Sequence, residues 1–271
     1  MAVTRRAVLK GAVAAAAGAI AAAGGYGYFD ERHQLVVTHS DLPIDRLPAA
    51  LNGLRIGFIT DLHCSRWVTA EAVHRVATRL NEEHPDLVIL GGDYVTWGDR
   101  QYVHPSADAL SSLSAPHGVF GILGNHDDDR DMPAALVSRH ISVLRDARTR
   151  LRINGEVVDL VGIRFWTKRQ ADIAPLMRSA SGTTFLLAHD PRRLNEAAAL
   201  KVPLVLSGHT HGGQVVLPIA GAVAAQKFPV VAGIGRRDRT TMFVSRGVGT
   251  VYVPVRINCP PEVAVLTLKS V

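Results

Sequence analysis

Residues 208–213 read Gly208-His209-Thr210-His211-Gly212-Gly213, and they directly follow the short apolar run Val202 to Ser207. Two imidazoles two positions apart cannot share one helical face, so the spacing indicates an irregular loop. The flanking glycines allow positive φ and a close approach of the backbone to a bulky or charged group. The preceding run is typical of a buried strand, and ligands of open α/β sheets bind where such strands end. A polar surface turn that merely contains two histidines is the alternative interpretation.

The composition favours a single large α/β domain behind an N-terminal segment. Of the 271 residues, 47% are hydrophobic and 20% are charged, which is ordinary for a globular protein with a sizeable core. The formal net charge of +6 favours anionic substrates or an anionic membrane face, without choosing between them. The basic residues are scattered rather than gathered in runs, so we expect no dedicated nucleic-acid partner.

The chain has two cysteines, Cys64 and Cys259, and no Cys-x-x-Cys pair. A structural zinc site built on thiolates is therefore excluded. A disulfide between the two is an open alternative, but nothing in the sequence brings them within bridging reach, and free buried thiols are favoured.

Residues 1–29 are interpreted as a targeting segment. Residues 4–10, Thr-Arg-Arg-Ala-Val-Leu-Lys, resemble a twin-arginine export signal, with Val8 where that pattern prefers phenylalanine. The uncharged run from Gly11 to Phe29 is mildly hydrophobic and of marginal length for crossing a bilayer. It either ends at a cleavage site near Ala21-Ala22-Ala23 or stays as an anchor. We expect export by the twin-arginine machinery, across the bacterial cytoplasmic membrane or to an anchored position at its outer face.

Residues 30–271 begin with the alternation of strands and helices that is typical of a parallel sheet. Thr69 can cap a helix with apolar residues at helical spacing, and Asn154-Gly155 is a strong hairpin signal. We predict strands at 54–60, 87–90, 119–123, 151–153, 156–163, 183–188, 202–207, 214–218, 241–245 and 263–268, and a second helix at 106–113.

Polar side chains that can bind metal follow five of these strands: Asp61 and His63, Asp93, Asn125 and His126, His189, and His209 and His211. Each has an ordinary explanation alone, such as a cap or a turn, but five together indicate a shared site. Carboxylate, carboxamide and imidazole suit two divalent or trivalent ions of manganese, iron or zinc. We assign Asp61, His63 and His211 to one cation. A second would take Asn125, His189 and His209, with Asp93 as the candidate bridge.

Five blocks in this order resemble the calcineurin-like metallophosphoesterases: Asp61-x-His63, Gly91-Gly92-Asp93, Gly124-Asn125-His126-Asp127, His189 and Gly208-His209-Thr210-His211. Residues 245–249 and 256–262 look like a bacterial branch of exported or membrane-associated phosphodiesterases. The resemblance implies an α/β fold, a four-layer α/β/β/α sandwich of two mixed sheets, over residues 30–271. The metal assignments match the family's position by position. Cys64 is not fixed by the motif; it is either a ligand thiolate or, as we favour, a packed neutral thiol.

Two metals hydrolyse a phosphoester by lowering the pKa of a bridging water and by clamping the phosphoryl oxygens, so the nucleophile would be a metal-bridging hydroxide. His126 is not assigned to a metal. It is the candidate to stabilise the phosphoryl oxygens or to protonate the leaving oxygen, and Asp127 is the candidate to orient it. Arg246 and Arg256 are candidate contacts to the substrate phosphate.

We expect a phosphodiesterase for an anionic phosphoester, and a lipid-linked phosphodiester or pyrophosphate fits the export signal and the basic charge best. The alternatives are a phosphomonoesterase, a phosphodiesterase for cyclic nucleotides or nucleic acids, and a non-catalytic metal-binding scaffold. A nuclease would favour a basic groove lined with aromatic residues, whereas 6% of the residues are aromatic. A scaffold would have lost ligands, and none is missing. Trp67 and Trp97 follow ligand blocks, and they either rim the mouth of the site or simply pack.

Overall fold

The computed structural model describes residues 4–178, 180 and 182–271. These residues form two six-stranded sheets, preceded by a long N-terminal helix, α1 (Arg5–Phe29). The further helices are α2 (Ala70–Asn81), α3 (Val103–Leu110), α4 (Asp131–Val137), α5 (Gln170–Met177) and α6 (Leu194–Ala199). The strands are β1 (Val36–Ile44), β2 (Arg55–Ile59), β3 (Leu87–Leu90), β4 (Val119–Gly121), β5 (Ser142–Val143), β6 (Ala147–Ile153), β7 (Glu156–Gly162), β8 (Thr183–Leu187), β9 (Leu204–Ser207), β10 (Gly233–Arg237), β11 (Thr240–Val244) and β12 (Glu262–Ser270).

Both sheets mix parallel and antiparallel neighbours. The first has the order β1-β12-β2-β3-β4-β5, in which β2 to β5 run parallel and β12 lies antiparallel to β2. The second has the order β10-β11-β9-β8-β7-β6, with antiparallel pairs at its two ends. Parallel neighbours place their carboxyl ends on one edge of a sheet, so the loops after β2, β3 and β4 lie together, as do those after β8 and β9.

Three apolar clusters define four layers. The central cluster joins residues of both sheets, such as Phe58 and Phe185. A second cluster packs helices α2, α3 and α4 on the outer face of the first sheet. A third packs α5 and α6 on the outer face of the second sheet. The expectation of an α/β/β/α sandwich of two mixed sheets is therefore confirmed.

Local sequence signals explain several of these elements. The Thr69 side chain accepts a hydrogen bond from the backbone N–H of Ala72 and caps α2, whose apolar face is buried. Asn154 and Gly155 both adopt positive φ, 50° and 85°, which is the backbone that a two-residue turn between β6 and β7 requires.

The structure also corrects some expectations. The predicted strand at 214–218 is wrong, because Val215 there makes an isolated bridge with Ile257 and the residues around it form a loop. The helix predicted at 106–113 begins three residues earlier, at Val103. Helices α4 and α5 were not predicted, since both are short and each contains a proline. Of the predicted targeting segment, residues from Arg5 onward are helical, and residues 1–3 lie outside the described residues.

Candidate metal centre

The predicted ligands converge where strands of both sheets end. Asp61 and His63 follow β2, Asp93 follows β3, Asn125 follows β4, His189 follows β8, and His209 and His211 follow β9. One group of ligand atoms, all within 4.8 Å of one another, comes from Asp61, His63 and His211. An equally tight group comes from Asp93, His189 and His209. The first of these triads is the set predicted for one cation. The second contains His189 and His209 of the other predicted set together with Asp93, the candidate bridge, in place of Asn125.

Asp93 lies between the triads. Its Oδ2 is 3.1 Å from Nε2 of His189 and 3.5 Å from Nε2 of His63. On the other side, Oδ1 of Asp61 is 3.4 Å from Nε2 of His211 and 3.8 Å from Nε2 of His189. Each of these two oxygens lies near a histidine of both triads, and Oδ2 of Asp93, which is the closer, is in the position that a bridging ligand needs.

In His189 and His63, contacts with the protein occupy Nδ1 and leave Nε2 as the nitrogen that can bind a cation. Nδ1 of His189 donates to the carbonyl of Gly91 at 2.7 Å, which fixes the tautomer and leaves the lone pair on Nε2. Nδ1 of His63 lies 3.2 Å from Oγ1 of Thr96. Among the described residues, Oδ1 of Asn125 is buried without a hydrogen-bond partner. A buried unpaired oxygen is costly, so Asn125 fits a cation ligand beside the second group, and the oxygen and nitrogen donors of both groups suit cations.

Burial also sets the protonation of the rings. It lowers the pKa of His63 and His211 to about 3 and that of His209 to about 4, so these imidazoles are neutral at pH 7 and can act as ligands. Burial opposes charge on His189 as well, but the carboxylates of Asp93 and Asp61 outweigh it and raise its pKa to about 10. A metal ion competes with that proton, because ligand imidazoles bind in the neutral form.

The backbone of the site is strained. Five of the seven predicted ligands have φ between 50° and 71°: Asp61, His63, Asp93, His209 and His211. Non-glycine residues rarely adopt this left-handed region, and strain of this kind clusters at functional sites. Two glycines allow the close approach. A Cβ on Gly124 would lie 2.0 Å from Oδ1 of Asp93, and one on Gly208 would lie 2.2 Å from Oδ2 of Asp61.

His126 is held beside the triads without belonging to either. Its ring centroid lies 4.9 Å from that of His63 and 4.3 Å from that of Trp97. The backbone N–H of Trp97 donates to Nδ1 of His126 at 3.2 Å, so the ring proton resides on Nε2. Burial lowers the pKa of His126, partly offset by Asp93, and the ring is therefore neutral. His126 lines a cavity of about 530 Å³ together with Asp93 and Asn125. Its Nε2–H is a proton donor at this cavity.

The prediction that Asp127 orients His126 is wrong. Its two carboxylate oxygens accept backbone N–H groups from Asp93, Tyr94, Val95 and Gly124, at 2.7 to 3.3 Å. Burial and the Asp93 carboxylate raise the pKa of Asp127, and these N–H donors counteract the shift. Asp127 therefore fixes the loop after β3 to the loop after β4, and it sets the distance between Asp93 and Asn125.

Arg246 and Arg256 are predicted to contact the substrate phosphate, but neither reaches the cavity. Arg256 is fully buried, and its guanidinium donates to the carbonyls of Arg246, Gly247, Gly249 and Cys259. It holds its own loop together and has no nitrogen left for a phosphate. The Arg246 guanidinium pairs with Glu262 at 3.3 Å. Neither arginine lines the cavity at the triads.

Cys64 and Cys259 carry free, buried thiols. Burial raises the pKa of Cys64 to about 11, and among the described residues its sulfur belongs to neither group that could hold a metal. Cys64 is thus a packed neutral thiol, as favoured from the sequence.

Sequence reasoning missed the aromatic residues around the second triad. The rings of Phe165 and Phe228 lie 5.2 and 5.3 Å from that of His209 and pack against it. Neither residue stands in a motif, and the one signal for Phe228 was its place soon after the histidine loop. The sequence predicts that Trp97 either rims the mouth or packs, but its backbone bond to His126 has no sequence signature.

Comparison with known proteins agrees with this geometry. Residues 54–213 match the family described as calcineurin-like phosphoesterase, a range that contains every predicted ligand. The chain therefore belongs to this family, whose members are metal-dependent phosphoester hydrolases.

Two relatives illustrate the similarity. The chain is 32% identical to the uncharacterized metallophosphoesterase YkuE of Bacillus subtilis over 98% of both chains. It is also 32% identical to the phosphodiesterase YaeI of Escherichia coli, over 79% of this chain and 82% of that protein. Among solved structures, the NAD nucleotidase NadN of Haemophilus influenzae superposes with a TM-score of 0.51 at 14% identity, over 72% of this chain and 45% of that one. That likeness concerns the fold alone.

Proposed function

We propose that the protein is a phosphodiesterase that uses two metal ions. The observation that carries the proposal is the position of Asp93, whose Oδ2 lies within 3.5 Å of a histidine of each triad. Oxygen and nitrogen ligands suit manganese, iron or zinc. When bound, the cations supply a water of lowered pKa and neutralise charge on the phosphoryl oxygens.

The chain's own residues then have distinct tasks. The triads fix where a phosphoryl group lies, in the cavity that Asp93, Asn125 and His126 share. His126 holds a proton on Nε2 and donates it to a phosphoryl oxygen or to the leaving oxygen. The Trp97 N–H keeps His126 in this tautomer. Asp127 ties the loops that carry Asp93 and Asn125.

A diester substrate is favoured over a monoester by the comparison with known proteins. The alkoxide that leaves either kind of ester needs a proton, and His126 offers one beside the triads. One relative, the protein of Escherichia coli, carries the description phosphodiesterase. The excess of basic residues suits an anionic ester of either kind.

The test compares bis-p-nitrophenyl phosphate with p-nitrophenyl phosphate, using full-length protein supplied with Mn²⁺. We expect kcat/KM for the diester to exceed that for the monoester by about tenfold or more, roughly 1.4 kcal/mol of transition-state preference. Preference for the monoester would instead support the phosphomonoesterase alternative. If neither ester is hydrolysed, the proposal of an enzyme fails.

We also propose that α1 is a twin-arginine signal that stays as a membrane anchor at the outer face. By length and composition the helical stretch Arg5–His33 is sufficient to cross a bilayer, as signal sequences also are. The side chains of α1 are largely exposed to solvent, as expected for a segment that belongs in lipid. Replacing both Arg5 and Arg6 by lysine should leave the protein in the cytoplasm in cell fractionation. Unchanged export of that double variant would refute the route.

A further inference from the structure

Residues 215–225, which we call the mouth loop, contain no polar side chain. Leu217, Ile219 and Val223 are exposed, Ile219 completely. Reciprocal backbone hydrogen bonds between Leu217 and Gly221, at 3.0 and 2.9 Å, present Ile219 at the tip of a turn. Long exposed apolar runs lower the solubility of a protein, and they indicate a surface that contacts something apolar.

The mouth loop borders the candidate metal centre. Leu217 and Val223 line the same cavity as Asp93 and His126. Tyr252 and Val253 line the same cavity and are also exposed. The cavity therefore leads from the cation ligands to an apolar opening, an arrangement that fits a phosphoester with an apolar tail.

Hydrogen bonds through residues 256 and 257 also connect the mouth loop to the end of α1. The backbone N–H of Val216 donates to the carbonyl of Ile257 at 2.9 Å, and the N–H of Arg256 donates to the carbonyl of Gly27 at 3.2 Å. Gly27 packs so closely that a Cβ there would lie 2.9 Å from Cγ1 of Ile257. The buried Glu31 carboxylate accepts the N–H groups of residues 258 and 259. The last turn of α1 is thus fastened to the loop that supports the mouth.

The residues at this end of α1 suit a bilayer surface. The Arg32 guanidinium lies 4.5 Å from the centroid of the Tyr28 ring, and that of Arg66 lies 4.7 Å from the centroid of a Trp67 ring. Tyrosine and tryptophan concentrate at membrane interfaces, and arginines beside them reach anionic headgroups. If α1 spans the bilayer, its interface lies at Tyr28, within a few residues of the contacts that hold the mouth loop.

We propose that the mouth loop inserts into the surface of the bilayer that holds α1, and that the site takes its phosphoester from that bilayer. The substrate class is a membrane-borne amphiphile whose phosphoester reaches the triads while its apolar chain stays between Leu217, Val223 and Val253. This inference rests on the proposed phosphodiesterase function and names its substrate class.

The test uses a matched pair of diesters, hexadecyl p-nitrophenyl phosphate in vesicles of phosphatidylcholine and phosphatidylglycerol, and methyl p-nitrophenyl phosphate in water. In each, a water oxygen bonds to phosphorus, the bond from phosphorus to the aryl oxygen breaks, p-nitrophenolate leaves, and a proton of the attacking water is released to the solvent. Full-length protein reconstituted in the same vesicles should prefer the hexadecyl ester by about tenfold or more in kcat/KM. Ile219→Ser should lower that preference at least about threefold, and Ile219→Trp should keep it.

Val137→Ser is the control, because Val137 is exposed on α4 and does not line the cavity. Its preference should equal that of the wild type. The inference is overturned if the wild type cleaves the methyl ester as well as the hexadecyl ester, or if Ile219→Ser leaves the preference unchanged. Failure to cleave either ester would instead contradict the phosphodiesterase function itself.

Discussion

The backbone N–H of Trp97 donates to Nδ1 of His126 across 3.2 Å. A backbone amide can only donate, so the contact assigns the acceptor nitrogen and leaves the ring proton on Nε2. His126 stands beside His63, at 4.9 Å between ring centroids, yet it belongs to neither triad. A neutral ring with its proton on the nitrogen away from Trp97 can serve as a proton donor but needs no metal of its own.

His126→Ala should therefore retain metal and lose turnover. For an ester with an alkoxide leaving group we expect kcat to fall by about 10² to 10⁴, the range for loss of a general acid, because the leaving oxygen no longer receives a proton. Elemental analysis should find the wild-type metal content. The control is His74→Ala, an exposed histidine on α2, which should change neither quantity. Loss of metal from His126→Ala would show that His126 is a ligand instead.

Asp93→Asn should lose metal and activity together. The substitution removes the negative charge from a side chain whose Oδ2 lies 3.1 Å from a histidine of one triad and 3.5 Å from a histidine of the other. We expect metal content to fall below that of the wild type and kcat/KM to fall more than about 100-fold. Asp172→Asn, at an exposed ion pair with Arg169, is the matched control. An Asp93→Asn protein with full metal content would contradict the bridging role.

The residues of the centre were predictable because side chains that can bind metal recur at the ends of predicted strands. Apolar runs such as 87–90 and 202–207 identified strands, and parallel neighbours in a sheet place their carboxyl ends on one edge. Asp93 and His209 were therefore placed in one site although they lie far apart along the chain. The hairpin at Asn154-Gly155 was equally readable, since few residues other than these tolerate its positive φ.

The partners of individual atoms were not predictable. The sequence offered Asp127 as a partner for the His126 ring, but the loop geometry turns its carboxylate onto four backbone N–H groups. Arg256 looked like a phosphate ligand because arginines bind phosphate, yet its guanidinium meets carbonyls of a loop that surrounds it. Such choices depend on distances of a few ångströms between loops, which residue patterns do not encode.

Gly124→Ala adds one methyl group and should cause the centre to lose metal. An added Cβ would lie 2.0 Å from Oδ1 of Asp93. This oxygen cannot move away without losing the hydrogen bond that it accepts from the backbone N–H of His126. We expect a loss of metal similar to that of Asp93→Asn, and thermal denaturation should show a lower midpoint. Gly18→Ala, where nothing lies within 4 Å of the added Cβ, should behave as the wild type. Wild-type activity of Gly124→Ala would refute the close approach.

Neither cysteine should react in the folded protein. Burial raises the pKa of Cys64 to about 11 and raises that of Cys259, so both are thiols without access to reagent. With 5,5′-dithiobis(2-nitrobenzoate) at pH 8, we expect no rapid reaction of native protein and two reactive thiols after unfolding in guanidinium. Rapid reaction of one native thiol would indicate an accessible thiolate, and no thiol after unfolding would indicate a disulfide.

Glu31→Ala should loosen the junction between α1 and the domain. The buried carboxylate of Glu31 accepts the backbone N–H of Asn258 at 3.0 Å and that of Cys259 at 2.5 Å. Removing it leaves the buried N–H of Cys259 unpaired, at roughly 1–3 kcal/mol, and takes the side-chain acceptor from the N–H of the exposed Asn258. The same loop reaches the first triad, because the Cys259 thiol donates to the carbonyl of His211 at 3.2 Å. The melting temperature of full-length protein in detergent should fall by at least about 3 °C.

The exposed Glu82→Ala is the matched control for this junction. Glu82 pairs with Arg79 on the surface of α2, and such pairs contribute about 0–1 kcal/mol. Its melting temperature should therefore stay within about 1 °C of the wild type. If Glu31→Ala and Glu82→Ala melt at the same temperature, the Glu31 carboxylate does not fasten α1 to the loop at 258–259. In that case the mouth loop would not be held at a fixed distance from the end of α1. The proposal that the opening of the metal centre lies at the bilayer would then lose its support.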